Sequence, residues 1–489
     1  MALVNVHTFQ GGPAGTLEPH SAPSDVASSR DWLMRVASLE AGLMRMECGW
    51  LTRIAPYTVK FELGQHASED ADHCEWLIRR IASLGGPRAD DVVGQAQPWL
   101  SALDGAPSPL AWLLGTYTVV KPRLVVAYHH FLEQPDVGTE TETKRVVRRN
   151  VHDHQAHMAW AEGALASPVA MELGDRAEAY AWLGGFLEAM EHRGGLLGDQ
   201  VPANDVLWCQ KPLPRPVMPP AYPVNWPDEE PRFESPPPPP LDDDEERQRR
   251  NLHGRIYGEL DALELFARNV YEFPDAPWAY QAGMAKIVWD EARHTDALMY
   301  AFLSKGGRMD LWPVQRGGYI QIYQGRDALE RAILYHRIGE ARGMDSIYQD
   351  VRVYRDLDEP EIALHRDYEV ADEVNHVRFG VRWAWRFTDF SQDRLDASIT
   401  AMAERGIAGA QTWVGLKSGE KKSPAGCGLV QPPPEHGCPV YVRGKKLAEF
   451  SDQEIDAWVT FADGLTHETP EELRSLGFEP AASTARVEA

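Results

Sequence analysis

Four short stretches decide the fold of this chain: GELDALELFARNVYEFP at 258–274, WDEARH at 289–294, RIGEARGMD at 337–345 and ADEVNHVRFGVRW at 371–383. Each sits in sequence whose apolar residues recur at three- and four-residue spacing, the period of an amphipathic helix. The first and third offer a Gly-Glu pair, with Glu259 after Gly258 and Glu340 after Gly339. The second and fourth offer Glu-x-x-His, as Glu291 with His294 and Glu373 with His376. Glu259 precedes Glu291 by 32 residues and Glu340 precedes Glu373 by 33. Two antiparallel helices and a turn fit that span, the second helix returning its Glu-x-x-His to the level of the first helix's Glu.

Residues i and i+3 share one helix face, so each Glu-x-x-His can serve one metal ion. Glu259 and Glu340 then complete the two coordination shells. Four carboxylates and two imidazoles suit iron or manganese, and the lack of thiolates argues against structural zinc. One Glu-x-x-His arises readily by chance; a repeat of the whole pattern at matched distance does not. Glu264 competes with Glu259 on the first helix, but only Glu259 keeps the spacing and the Gly-Glu alignment, and Glu264 is expected beside the site or at the core edge. Asp290 and Asp372 each precede a ligand Glu, where an acid can orient a histidine from behind or be an ordinary helix-face residue. Arg293 and Arg342 are placed to offset the acidic cluster or to meet an anionic substrate, ion pairing being the commoner use. Trp289, Tyr335, Trp383 and Trp385 read as core.

Working outward, helical periodicity continues on both sides of KPLPRPVMPPAYPVNWPDEEPRFESPPPPP at 211–240, which holds 13 prolines in 30 residues and so excludes helix and central strand. Its Tyr222, Trp226 and Phe233 suggest a strap packed on the protein surface. The expected architecture is all-α: a helical domain at 25–205, a Pro-rich and acidic linker at 206–249, a second helical domain at 250–415, and a tail at 416–489 with short helices. In the tail, SDQE at 451–454 and TPEE at 469–472 have capping-box form. Cys427, His436 and Cys438 make a weak zinc pattern that reads better as a loop.

The N-terminal domain reads as a worn copy of the same device. Glu40 lies 30 residues before Asp70, Asp70 pairs with His73, and His154 pairs with His157 where a Glu-x-x-His is expected. Counting 33 back from His154 reaches Lys121, followed by Pro122, where a carboxylate belongs. A lysine opposes metal charge, so no working dimetal site is expected there. His66, His73, His154 and His157 remain candidates for a single ion.

With 49 basic against 73 acidic residues the formal charge is −24, which disfavours nucleic acid and acidic membrane surfaces as partners. Five cysteines in 489 residues make no disulfide framework and fit a reducing, cytoplasmic setting. No export signal and no membrane span are expected.

Residues 250–390 resemble the ferritin-like superfamily, and within it an uncharacterised bacterial branch of di-iron proteins related to the MiaE-type tRNA hydroxylases. That resemblance rests on GELDALELFARNVYEFP, DEARH, GEARGMD and DEVNHVRFGVRW. It implies a four-helix bundle with a two-iron site and dioxygen as co-substrate, and with the worn N-terminal copy the expected fold is two ferritin-like bundles in tandem; the acidic charge speaks against a tRNA substrate. The expectation is a monooxygenase-like oxidoreductase acting on a small organic molecule, with hydroxylation, N-oxygenation, desaturation and halogenation all open. No flavin, nicotinamide or ferredoxin-type motif is visible, so a separate electron donor is expected. The alternatives are a ferroxidase or metal-handling protein, and a non-catalytic interaction protein stapled by metal. Nothing in the sequence fixes an oligomeric state.

Overall fold

The computed structural model of the chain describes residues 25–94, 98–134, 140–192, 195–197, 213–234, 237, 243–417 and 468–481. It is mostly helical, and among the described residues the strands are β1 (Val224–Asn225) and β2 (Val314–Gln315), paired in parallel. The chain divides into two compact units, Met1–Met218 with Val270–Glu272, and Pro219–Asn269 with Phe273–Ala489. The division falls within the proline-rich stretch.

In the first unit the helices are α1 (Val26–Leu51), α2 (Tyr57–Ser83), α3 (Ala89–Val93), α4 (Pro98–Asp104), α5 (Pro109–Leu114), α6 (Lys121–Glu133), α7 (Thr141–Ala166) and α8 (Arg176–His192). A π-helical segment, Gly115–Val120, joins α5 to α6. The Asp25 side chain caps α1 by accepting from Ser28 N, and Ser28 returns the bond, satisfying two amide groups a helix start leaves free. From Val36 to Leu51 every α1 residue is buried, as in a helix enclosed on all sides. The helical run Pro109–Glu133 is long and apolar enough to cross a membrane by length and composition, and 72% of its window lies buried inside the protein.

The second unit contributes α9 (Asp244–Glu272, its last three residues grouping with the first unit), α10 (Trp278–Ser304), α11 (Gly317–Tyr323), α12 (Ala328–Ala332), α13 (Ala341–Asp356), α14 (Pro360–Phe387), α15 (Gln392–Glu404) and α16 (Ala408–Lys417). A second π segment, Ile333–Glu340, joins α12 to α13. Such widened turns are uncommon and gather at functional sites. Phe266 of α9 stacks on His336 of the π segment, with ring centroids 4.6 Å apart and planes within 8°. Against the same wall, Gly380 of α14 comes so close that an added Cβ would meet His336 Cβ at 2.2 Å.

Of the proline-rich stretch, the described part is anchored: Val314 N donates to Pro223 O, Arg316 N donates to Asn225 O, and Trp226 meets Tyr319 edge-on, although Phe233 is exposed. In the tail, Thr469 and Glu472 form the capping box of helix Pro470–Ser475. Glu468 clasps Arg382 of α14 through both carboxylate oxygens. The SDQE stretch and Cys427, His436 and Cys438 lie outside the described residues.

Gly380→Ala is expected to destabilise the second unit by about 1–3 kcal/mol, because the methyl group meets a backbone-fixed atom and not a movable chain end. Gly254→Ala, on α9 with open space around it, is expected to be neutral or to add up to about 1 kcal/mol through helix propensity. Thermal melts of the two variants check the contrast.

Candidate metal centre

The second unit brings all six sequence-predicted residues together from four helical segments: Glu259 from α9, Glu291 and His294 from α10, Glu340 from the end of the π segment, and Glu373 and His376 from α14. They form two overlapping groups. One is Glu259, Glu291, His294 and Glu373; the other is Glu291, Glu340, Glu373 and His376. Within each, one ligand atom per residue lies within 4.8 Å of the rest.

Glu291 and Glu373 belong to both groups, and each divides its two oxygens between them. Glu291 Oε2 stands 3.7 Å from His294 Nδ1 while its Oε1 stands 3.1 Å from His376 Nδ1. Glu373 Oε1 stands 3.8 Å from His294 Nδ1 and its Oε2 3.6 Å from His376 Nδ1. Glu340 Oε1 completes the second group at 3.5 Å from His376 Nδ1. All but the half-buried Glu259 are buried.

Both histidines turn Nδ1 inward because Nε2 is held from behind. His294 Nε2 donates to Asp372 Oδ2 at 3.1 Å, and His376 Nε2 donates to Asp290 Oδ2 at 3.3 Å. The acid before each Glu thus serves the histidine of the opposite helix. Arg293 donates to both Asp290 and Asp372, tying the two supports together. This carboxylate backing is what metal-ligating imidazoles commonly have.

Glu264 does not join the centre. Five residues beyond Glu259 it is turned about 140° round the helix, and it pairs with buried Arg316, which also holds Asp261. The Arg342 side chain lies outside the described residues. Two neighbours escaped sequence reasoning: His336, which donates to Glu340 Oε2 at 2.6 Å, and Glu369, clasped by Arg366, which also reaches Glu259 Oε1 at 3.7 Å. Each stands four residues before a centre residue, at the i−4 position of Glu340 or Glu373, and that one-turn offset was the signal available.

The donor set fits a metal pair. Both Glu291 oxygens, Glu340 Oε1 and the Nδ1 atoms of His294 and His376 are buried without a hydrogen-bond partner, an arrangement costly for a protein to keep unless something else satisfies it. The electrostatics agree. Burial, with help from Glu340 and Glu291, pushes the Glu373 carboxyl up to about 8. Burial works against charge on Glu291 too, but the neighbouring His294 and His376 outweigh it and hold its carboxyl at about 2. Burial likewise opposes charge on His294 and His376; Asp372 and Glu291 for the first, and Glu373 and Asp290 for the second, outweigh it and raise both well above the ordinary imidazole range.

In the first unit, Glu40, Asp70, His73 and His154 form a buried group of the same kind. His157 borders it, 3.8 Å from Asp70 Oδ1, but is engaged elsewhere, accepting from Lys121 Nζ at 2.8 Å and donating to Glu69 at 2.5 Å. His66 lies against the His157 ring, 3.8 Å between centroids, and bonds Tyr117. Of the residues expected here, Glu40, Asp70, His73 and His154 come together, whereas His157 is taken by Lys121 and Glu69 and His66 by Tyr117, which corrects the four-histidine set.

A protein-family model described as a protein of unknown function (DUF455) matches residues 202–402, a span that includes all six residues of the second unit's centre. No curated protein and no solved structure matches the chain.

Metals displace protons from their ligands. Loading the metal-free protein at pH 7 is expected to release protons from His294, His376 and the Glu373 carboxyl, so that apparent affinity falls as pH is lowered; a pH-indicator titration with no release would contradict this. Asp372→Asn is expected to keep the fold and weaken metal binding about 10- to 100-fold, read by chelator competition.

Proposed function

We propose that residues 250–415 form a ferritin-like four-helix bundle in which Glu259, Glu291, His294, Glu340, Glu373 and His376 hold two iron ions, manganese being the alternative at either position. The protein is then an oxygen-dependent oxidoreductase acting on a small organic substrate, drawing electrons from a separate donor. The observation that carries this reading is the division of the Glu291 and Glu373 oxygens between two groups, each with its own histidine. Two ferrous ions held there would supply dioxygen with electrons as a pair.

The chain's own residues set the conditions for that chemistry. Glu291 and Glu373 would each offer one oxygen to either ion position. Asp290, Asp372 and Arg293 fix the imidazole rings, which suits ions that stay in place better than ions in transit to a store. His336 orients Glu340 from the widened π turn. Phe266 and Tyr335, both buried, line the neighbourhood with apolar surface that keeps water out. Hydroxylation, N-oxygenation, desaturation and halogenation share such ligands, and the position of the substrate selects among them.

The purified chain is expected to take up iron that Glu291→Ala with Glu373→Ala removes, about two ions fewer per chain, and its ferrous form is expected to consume dioxygen where the double variant does not. Unlimited turnover of added ferrous iron without an organic substrate would replace this reading with ferroxidase chemistry. Equal metal content in wild type and double variant would overturn the centre itself.

A further inference from the structure

The first unit repeats the acid-to-histidine supports of the second unit's centre, and departs from it most at Lys121, which stands where the other has Glu340. His73 Nε2 donates to Asp153 Oδ2 at 3.1 Å, as His294 does to Asp372. Asp153 directly precedes His154, as Asp372 precedes Glu373. His157 Nε2 donates to Glu69, the residue before Asp70, as His376 does to the residue before Glu291. Lys121 follows the π segment Gly115–Val120, at the place where Glu340 ends Ile333–Glu340, and both stand 33 residues before the first ligand position of the fourth helix.

We propose that the first unit binds one divalent transition-metal ion between Glu40, Asp70, His73 and His154, and that the Lys121 ammonium fills the place a second ion would need.

Three buried atoms face the site without a hydrogen-bond partner: Glu40 Oε2, His73 Nδ1 and His154 Nδ1. Their side chains, like that of Asp70, have no exposure. His73 Nδ1 lies 3.5 Å from Glu40 Oε2 and 3.6 Å from Asp70 Oδ1, and His154 Nδ1 lies 3.8 Å from Asp70 Oδ1. Donors around a tetrahedral ion with bonds of about 2.1 Å stand about 3.4 Å apart, so the set needs only a small contraction. The second atoms of Glu40 and His73 are held from behind, His73 Nε2 by Asp153. Glu40 Oε1 accepts from Tyr128 Oη at 2.5 Å and from His154 Nε2 at 3.0 Å, which leaves Oε2 for the ion.

The neighbouring position is closed. Lys121 Nζ is 2.9 Å from Glu47 Oε1 and 2.9 Å from Asp70 Oδ2, and donates to His157 Nδ1 at 2.8 Å. It also donates to Asp70 Oδ1 at 3.1 Å, so its three N–H groups are met by three residues, Glu47, Asp70 and His157. Asp70 is shared between the ammonium and the four-residue group, as Glu291 is shared between two groups in the other unit. Glu47, two helical turns beyond Glu40 on the same face of α1, supplies the charge that keeps the ammonium in place, and Tyr117 Oη donates to it at 3.1 Å. The second unit has Phe266 and His336 at the corresponding places. A closed site of two carboxylates and two imidazoles with a fixed cation beside it takes a single divalent transition-metal ion held by the fold. It lacks the partner ion that paired electron transfer requires.

The test uses the full chain with the second centre disabled by Glu291→Ala and Glu373→Ala, stripped by chelator and titrated with cobalt(II) and with zinc. One cobalt per chain, with the visible absorption of a four- or five-coordinate ion and displacement by zinc, is expected. His73→Ala in that background is expected to abolish the absorption. Asp153→Asn, which touches no ion, is expected to weaken binding about 10- to 100-fold with an unchanged circular dichroism spectrum, and it decides the matter if His73→Ala does not fold. No bound cobalt, or an affinity indifferent to Asp153→Asn, overturns the site. Two ions in the disabled chain overturn the role of Lys121. If wild type and disabled chain both hold the same single ion, the dimetal reading of the second unit fails while this one stands.

Discussion

Carboxylates gathered in an apolar interior repel one another and lose their hydration, and each unpaired buried charge costs about several kcal/mol. That constraint governs both units. Glu259, Glu291, Glu340 and Glu373 crowd one core; Glu40, Glu47 and Asp70 crowd the other. Among the described residues no lysine or arginine reaches Glu291, Glu340 or Glu373; the protonated His294 and His376 are their internal counter-charges. The arrangement is a core built for positive charge supplied from outside the polypeptide.

The first unit answers the same constraint partly from within. Burial lowers the tendency of Lys121 to carry charge, but Asp70 and Glu47 outweigh it and hold the ammonium above its ordinary range. Burial, with Lys121 beside it, keeps His157 neutral, its titration pushed well below the imidazole range. A charged lysine between two carboxylates and a neutral histidine is a self-consistent cluster. Beside it, His73 is held at about 10 against the pull of burial, chiefly by Glu40.

Much of this was legible in the sequence, and the reasons are local. Helical period and the i, i+3 pairing of Glu291 with His294 and Glu373 with His376 are properties of a single helix, so they survive without knowledge of packing. The choice of Glu259 over Glu264 followed from the matched spacing and from the Gly-Glu pair shared with Gly339 and Glu340. The defect at Lys121 could be counted out from His154. What could not be read were the cross-helix partners. Nothing in the sequence says that Asp290 serves His376 and not its own neighbour His294, because that depends on how α10 and α14 pack. The π segments were invisible for a different reason: a widened turn has no composition of its own, and ILYHRIGE reads as ordinary helix. Glu47 was missed because a lone Glu at two-turn spacing looks like a helix-face acid until the lysine it faces is known to be buried.

Arg293 gives the second unit's centre a property that none of its donor residues has alone. By holding Asp290 and Asp372 together, it makes the supports of His294 and His376 one mechanical piece. Freezing one imidazole freezes the other, so the ordering entropy is surrendered once and not twice. If two ions bind as proposed, the first would bear that loss and the second would enter a cavity already set, so that filling would run close to all-or-none. Because Arg293 is itself half-exposed, the strength of that linkage is open to the surrounding electrolyte, which places control of a buried centre partly at the protein surface.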